Sequence, residues 1–83
     1  MTTVKVKVAD LIQQKMIRDG RDPSRNPITQ QEIATATGIP QGTVSRWVGD
    51  KVDRLDKNIM VKLCDYFECD ISDLLYLDRT VMQ

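Results

Sequence analysis

Residues Ile28–Asp50 read ITQQEIATATGIPQGTVSRWVGD. Two short runs of helical character, Gln30–Thr37 and Gln41–Val48, stand on either side of a Gly38-Ile39-Pro40 break. The first opens on Thr29-Gln30-Gln31-Glu32, the pattern of a capping box. The Thr29 hydroxyl accepts from the Glu32 amide, and the Glu32 carboxylate is expected to reach back to the start of the helix. Ile33 and Ala34 then face inward. Gly38 falls just past the end of the run, where a left-handed backbone costs glycine little. Ile39 is placed to plug the turn, and Pro40 fixes the entry into the second run. That run sets Val44, Trp47 and Val48 at i, i+3 and i+4, one apolar side. Gln41, Thr43, Ser45 and Arg46 occupy the remaining surface, and Gly49 ends the helix. Trp47 reads as a core anchor rather than a ligand contact.

Working outward, Val4, Val6 and Val8 alternate with Lys5 and Lys7, which predicts a strand over residues 4–8. From Ala9 the period becomes helical, with Leu11, Ile12 and Met16 forming a stripe, Asp10 supporting the first turn and Gly20 a stop. Arg21–Pro27, RDPSRNP, is a loop whose arginines, Arg21 and Arg25, read as solvated charges. Beyond the charged loop Lys51–Leu55, a fourth helix runs from Asp56 as cap through Phe67. Ile59, Met60, Leu63, Cys64 and Phe67 recur along it at helical spacing, with Met60 as core filler. Asp70 caps a short fifth helix that buries Leu74 and Leu75, and Tyr76–Arg79 is extended. The fold class is therefore mainly all-α, five helices with short terminal strands over residues 4–8 and 76–79.

With 83 residues the chain makes one domain, residues 1–83, with a small core that calls for tight packing, dimerisation or both. There is no histidine, which removes the commonest general base and metal ligand and excludes a Ser-His triad. With no paired carboxylates and no glycine-rich phosphate loop either, the protein is expected not to be an enzyme and to use no cofactor. Cys64 and Cys69 alone cannot complete a four-ligand zinc site, and their spacing is not that of a C-x-x-C redox motif. They read as reduced thiols, Cys64 on a helix face and Cys69 in the turn that follows. Few aromatic residues make a stacking platform for single strands a poor expectation. No run approaches the roughly 18 apolar residues of a membrane span, and the first ten lack a signal-peptide core. The expected location is the cytoplasm, away from membranes.

The formal net charge is zero, but it is unevenly spread. Residues 1–62 hold 11 Lys and Arg against 7 Asp and Glu, whereas residues 63–83 hold 1 against 5. A chain that is neutral overall can still turn a basic face toward phosphate.

The segment Thr29–Gly49 resembles the helix-turn-helix of the phage-repressor and Cro-like, or XRE-type, family of DNA-binding proteins. The likeness rests on Thr29-Gln30-Gln31-Glu32-Ile33-Ala34, on Gly38-Ile39, and on Thr43-Val44-Ser45-Arg46-Trp47 with Gly49. It continues through Arg54-Leu55-Asp56-Lys57-Asn58, Leu63-Cys64-Asp65-Tyr66-Phe67 and Asp70-Ile71-Ser72-Asp73-Leu74-Leu75, so it covers about residues 8–77. The resemblance implies a five-helix, lambda-repressor-like domain in which small Ala34 lets the two helices cross closely. The second helix is then expected to lie in the major groove of double-stranded DNA.

By position, the resemblance implies that Gln41 reads bases and that Gln30 bonds a phosphate and buttresses Gln41. Thr43 and Ser45 meet bases or backbone, Arg46 reaches a guanine or a phosphate, and Gly42 allows close backbone approach. Lys51, Arg54, Lys57 and Asn58 hold phosphates, helped by the first amides of the fourth helix. The chain departs from the family pattern at Thr37, where a larger apolar residue is usual, at Pro40, and in the long Arg21–Pro27 loop. Asp50, Asp53 and Asp56 are expected to weaken the neighbouring phosphate contacts. Terminal strands pairing within or between chains imply a homodimer with reading helices about 34 Å apart. The expected function is a transcriptional repressor, regulated through concentration, dimerisation or a partner protein. The alternative is a protein-interaction module such as an antitoxin, suggested by the acidic Asp65–Asp78 region.

Overall fold

A computed structural model of the protein describes residues 2–79. Strand β1 spans Thr2–Val6, followed by helices α1 (Val8–Arg18), α2 (Gln30–Thr37), α3 (Gln41–Val48), α4 (Lys57–Phe67) and α5 (Ile71–Leu74), then strand β2 (Leu75–Arg79). Among the described residues, eleven apolar side chains form one buried cluster to which every helix contributes. Trp47, Phe67, Ile33, Leu63 and Leu74 are its largest fully buried members. Replacing such a side chain by alanine typically costs about 2–5 kcal/mol, a large share of what a domain this small can hold.

The α2–α3 pair is held by local bonds. Thr29 Oγ1 accepts from the Glu32 amide at 3.0 Å. Gly38 takes the left-handed conformation (φ +76°) and its N–H donates to the Ala34 carbonyl at 2.8 Å. Ile39 is buried in the turn. Thr37 does more than the sequence suggested. Its hydroxyl donates to the Ile33 carbonyl at 2.6 Å and accepts from the Ile39 amide at 3.2 Å, so it fixes the turn from inside. On α3, Val44 and Trp47 are buried and Val48 half-buried, as the spacing predicts. On α4, Asp56 is the cap, its Oδ1 accepting from the amides of Asn58 at 2.8 Å and Ile59 at 3.3 Å.

The structure corrects several expectations. The first strand ends at Val6, and Val8 belongs to α1. The Lys7 amide donates to the Leu74 carbonyl while its own carbonyl accepts from Leu11, so extended backbone gives way to helix there and Val8 turns fully into the core. The alternating valines carry no signal of that change. Leu75 is half-buried and opens β2 rather than closing α5. β1 and β2 pair antiparallel with each other, Val4 opposite Leu77 and Val6 opposite Leu75.

Arg21 is not a solvated charge. Its guanidinium grips the Glu32 carboxylate at 2.6 and 2.9 Å and reaches the Asn26 and Pro27 carbonyls, strapping the loop to the first turn of α2. Glu32 therefore does not complete the capping box. The hydrogen bond from Arg21 holds its carboxyl below the ordinary carboxylate range. Arg25 is solvated as expected, with only a 3.9 Å approach to Asp22. Cys64 and Cys69 are free thiols, both half-buried at the end of α4, where burial raises both and pushes Cys69 up to about 11.

Candidate nucleic-acid interface

Successive residues of an α-helix turn by about 100°, which fixes what α3 shows to solvent. With Val44 and Trp47 inward, the outward arc carries Gln41, Ser45, Gly42 and Arg46, all exposed, and Thr43 half-buried at its border. Gly42 lies near the centre of that arc. Among the described residues a Cβ added there would meet nothing within 4 Å, and its backbone is not in the left-handed region, so none of them requires glycine. The start of α3 has no side-chain cap. The Thr43 and Val44 amides donate to the Pro40 carbonyl, which leaves the Gln41 and Gly42 amides directed out of the helix end.

Beside this arc runs a groove of about 260 Å³ between α3 and the loop leading to α4. Thr43, Arg46 and Trp47 form one wall; Val52, Asp53, Arg54 and Ile59 form the other. The structure thus brings Thr43, Arg46 and Arg54 of the expected site residues together. Lys57 and Asn58, both exposed, immediately precede Ile59 at the groove's margin, and Lys51 is exposed on the same connection. Gln41, Gly42 and Ser45 lie on the open arc rather than in the groove. Gln30 is half-buried at the start of α2, and among the described residues no hydrogen bond joins it to Gln41. Val52 was not singled out from the sequence, since one apolar residue in a charged loop carries no periodicity.

The cations divide into two groups. Lys5 pairs with Asp50, Lys15 with Asp19, and Arg21 with Glu32. Arg18 donates to the Phe67 carbonyl, and Lys7 sits over the Tyr76 ring. Among the described residues, Arg46, Lys51, Arg54 and Lys57 have no such partner. Lys62 on α4 and Arg79 on β2 are likewise without one among the described residues, so four of these six cations lie on α3, its following loop and the first residue of α4.

The acidic neighbours behave differently from one another. Asp50 Oδ1 accepts from the Val6 amide at 3.1 Å and Oδ2 meets Lys5 Nζ at 3.5 Å, so it joins β1 to the end of α3. Its charge is engaged there. Asp56 occupies the Asn58 and Ile59 amides, two of the first amides of α4. Asp53 alone borders the groove.

A short helix without a side-chain cap, presented outward across a tight turn with unpaired cations on it and on the connection that follows, defines a helix-turn-helix domain of the nucleic-acid-binding kind. The model of the Cro/C1-type HTH DNA-binding domain matches residues 24–79, and the chain belongs to that family. Searches of curated proteins and of solved structures returned no match. Among the described residues, no helix is long and apolar enough to cross a membrane.

Proposed function

We propose that the protein is a transcriptional regulator that binds double-stranded DNA sequence-specifically, entering the major groove with α3. The observation that carries this reading is the outward arc of α3, whose polar side chains surround an otherwise unexplained glycine. Gln41, at the first position of the helix, is the base reader, with geometry suited to adenine. Thr43, Ser45 and Arg46 complete the base contacts, and bare Gly42 lets the helix backbone come close. Gln30, Lys51, Arg54, Lys57 and Asn58 hold the phosphates, which sets register without carrying sequence information. Repression is the favoured outcome because occupancy of a promoter is enough to exclude other proteins. The protein acts as a homodimer that spans successive major grooves.

Selection from a random duplex pool, followed by binding of variants to the selected site, tests this. Gln41→Ala is expected to lose about 1–3 kcal/mol of discrimination at one base position. Arg54→Ala and Lys57→Ala are expected to weaken binding to every sequence alike, each lowering the salt slope by about one. Uniform weakening by Gln41→Ala would remove it from the base-reading set, and no selected consensus would sink sequence specificity.

A second reading draws on the acidic side. Asp65, Glu68, Asp70 and Asp73 border one shallow depression beside Cys64 and Cys69. This surface suits a basic protein partner, as an antitoxin would need, and copurification of such a partner would favour it.

A further inference from the structure

Cys64 and Cys69 lie on either side of the end of α4, and the backbone there decides how they meet. Glu68, just past the helix, takes the left-handed conformation (φ 55°). Its amide donates to the Asp65 carbonyl at 3.4 Å, and the Cys69 amide donates to the Cys64 carbonyl at 3.0 Å. These are the two bonds of a Schellman ending, which folds the chain so that the side chains at its two ends touch. An apolar pair commonly fills that contact. Here two thiols fill it, both half-buried and bordering one shallow depression, with the Cys69 thiol donating to Cys64 Sγ.

The corner is held by bonds that do not involve sulfur. Arg18 of α1 donates to the Phe67 carbonyl at 3.2 Å. Cys69 leads directly into the cap of α5, where the Asp70 amide donates to Asp73 Oδ2 at 3.1 Å. The two thiols are therefore brought together by a framework that is complete without them. Among the described residues no group of His, Cys, Asp and Glu is arranged to hold a metal ion. The chemistry left to the pair is a bond between its own sulfurs.

We propose that Cys64 and Cys69 form an oxidisable dithiol, closing to an intramolecular disulfide by exchange with a low-molecular-weight disulfide such as oxidised glutathione. The Cys64 thiolate attacks one sulfur of the reagent, whose S–S bond breaks and releases one thiolate. The Cys69 thiolate then attacks Cys64 Sγ, forms the internal bond and expels the second thiolate. Two electrons pass to the reagent, and the protons lost by the two cysteines end on its two thiols. Burial raises both cysteines, but the hydrogen bond from Cys69 favours the Cys64 thiolate while Cys69 is pushed up to about 11. Cys64 is thus the first to attack. The second step is fast because the resolving sulfur is already in contact. Closure ties the last turn of α4 to the start of α5.

Incubating the full chain, folded and in urea, with graded mixtures of reduced and oxidised glutathione tests the pair. Intact mass and non-reducing electrophoresis read the outcome. The folded protein is expected to lose two hydrogen atoms, carry no glutathione and remain a single chain. Its closure constant should exceed that of the urea-unfolded chain by at least about tenfold, because the native backbone already holds the thiols together. By the same linkage the closed form should melt roughly 5–10 °C above the reduced form. Cys64→Ser and Cys69→Ser should each stop at a mixed disulfide with one glutathione. Glutathione retained on both native cysteines, or a covalently linked dimer, overturns the proposal. So does closure no more favourable in the folded chain than in urea, or a melting temperature that falls on closure. The native protein alone supplies these four readouts, so a serine variant that fails to fold does not affect them. None uses DNA, and the inference stands apart from the reading of α3.

Discussion

Gly42 is the residue at which stability and the proposed function pull in opposite directions. Glycine inside a helix is less favourable than alanine by up to about 1 kcal/mol, and the space around a Cβ at this position is open. Gly42→Ala should therefore raise the unfolding free energy by about 0.5–1 kcal/mol, read by urea denaturation. The added methyl group would stand where the helix backbone approaches a duplex, so affinity for the selected site should fall. A variant that is more stable and binds undiminished would remove Gly42 from the interface. Thr37 shows the limits of reading residues singly. Against a family pattern it looks like a loss of apolar packing, yet its hydroxyl bridges Ile33 and Ile39 across the turn.

At the scale of the element, the helix-turn-helix was legible because its determinants are local. α2 and α3 occupy the residues expected of them, since Thr29, Gly38 and Gly49 act within one turn of their own positions. Helix α4 and its Asp56 cap were equally readable. What escaped were bonds between distant segments: Arg21 with Glu32, Lys7 with Leu74, and Asp50 with Val6. Periodicity says which face of a helix is inward, but not which remote group will occupy a carboxylate. Asp56 carries a prediction at this scale. Removing a cap typically costs about 1 kcal/mol, so Asp56→Ala should lower the denaturation midpoint. It should also free the Asn58 and Ile59 amides and delete a negative charge beside Lys57, so non-specific affinity for duplex DNA should rise at low salt. Weaker DNA binding in a folded Asp56→Ala variant would place this turn away from phosphate.

For the whole molecule, the strap from Arg21 to Glu32 makes stability depend on pH. Glu32 is held below its ordinary value by the Arg21 hydrogen bond, so the folded state binds its proton less readily than the unfolded chain. Its contribution is present above the unfolded carboxyl value of about 4.3 and is lost as pH falls through the lower folded value. The native melting temperature should drop across that acid range, and Glu32→Gln should flatten that part of the curve in thermal melts. An unchanged profile would mean that the pair contributes nothing net. The uneven spread of charge was visible in the sequence, but which cations remain unengaged was not. That depended on where Asp19, Asp50 and Glu32 came to lie.

The separation of the engaged cations from the unengaged ones has a kinetic consequence. A molecule of zero net charge with positive charge near α3 and exposed acids around α4's far end and α5 behaves as an electric dipole. In the field of a polyanion it experiences a torque before it experiences contact, so encounters arrive with the positive pole leading. Fewer collisions are wasted on the wrong orientation, and this advantage fades as added salt shortens the reach of the field.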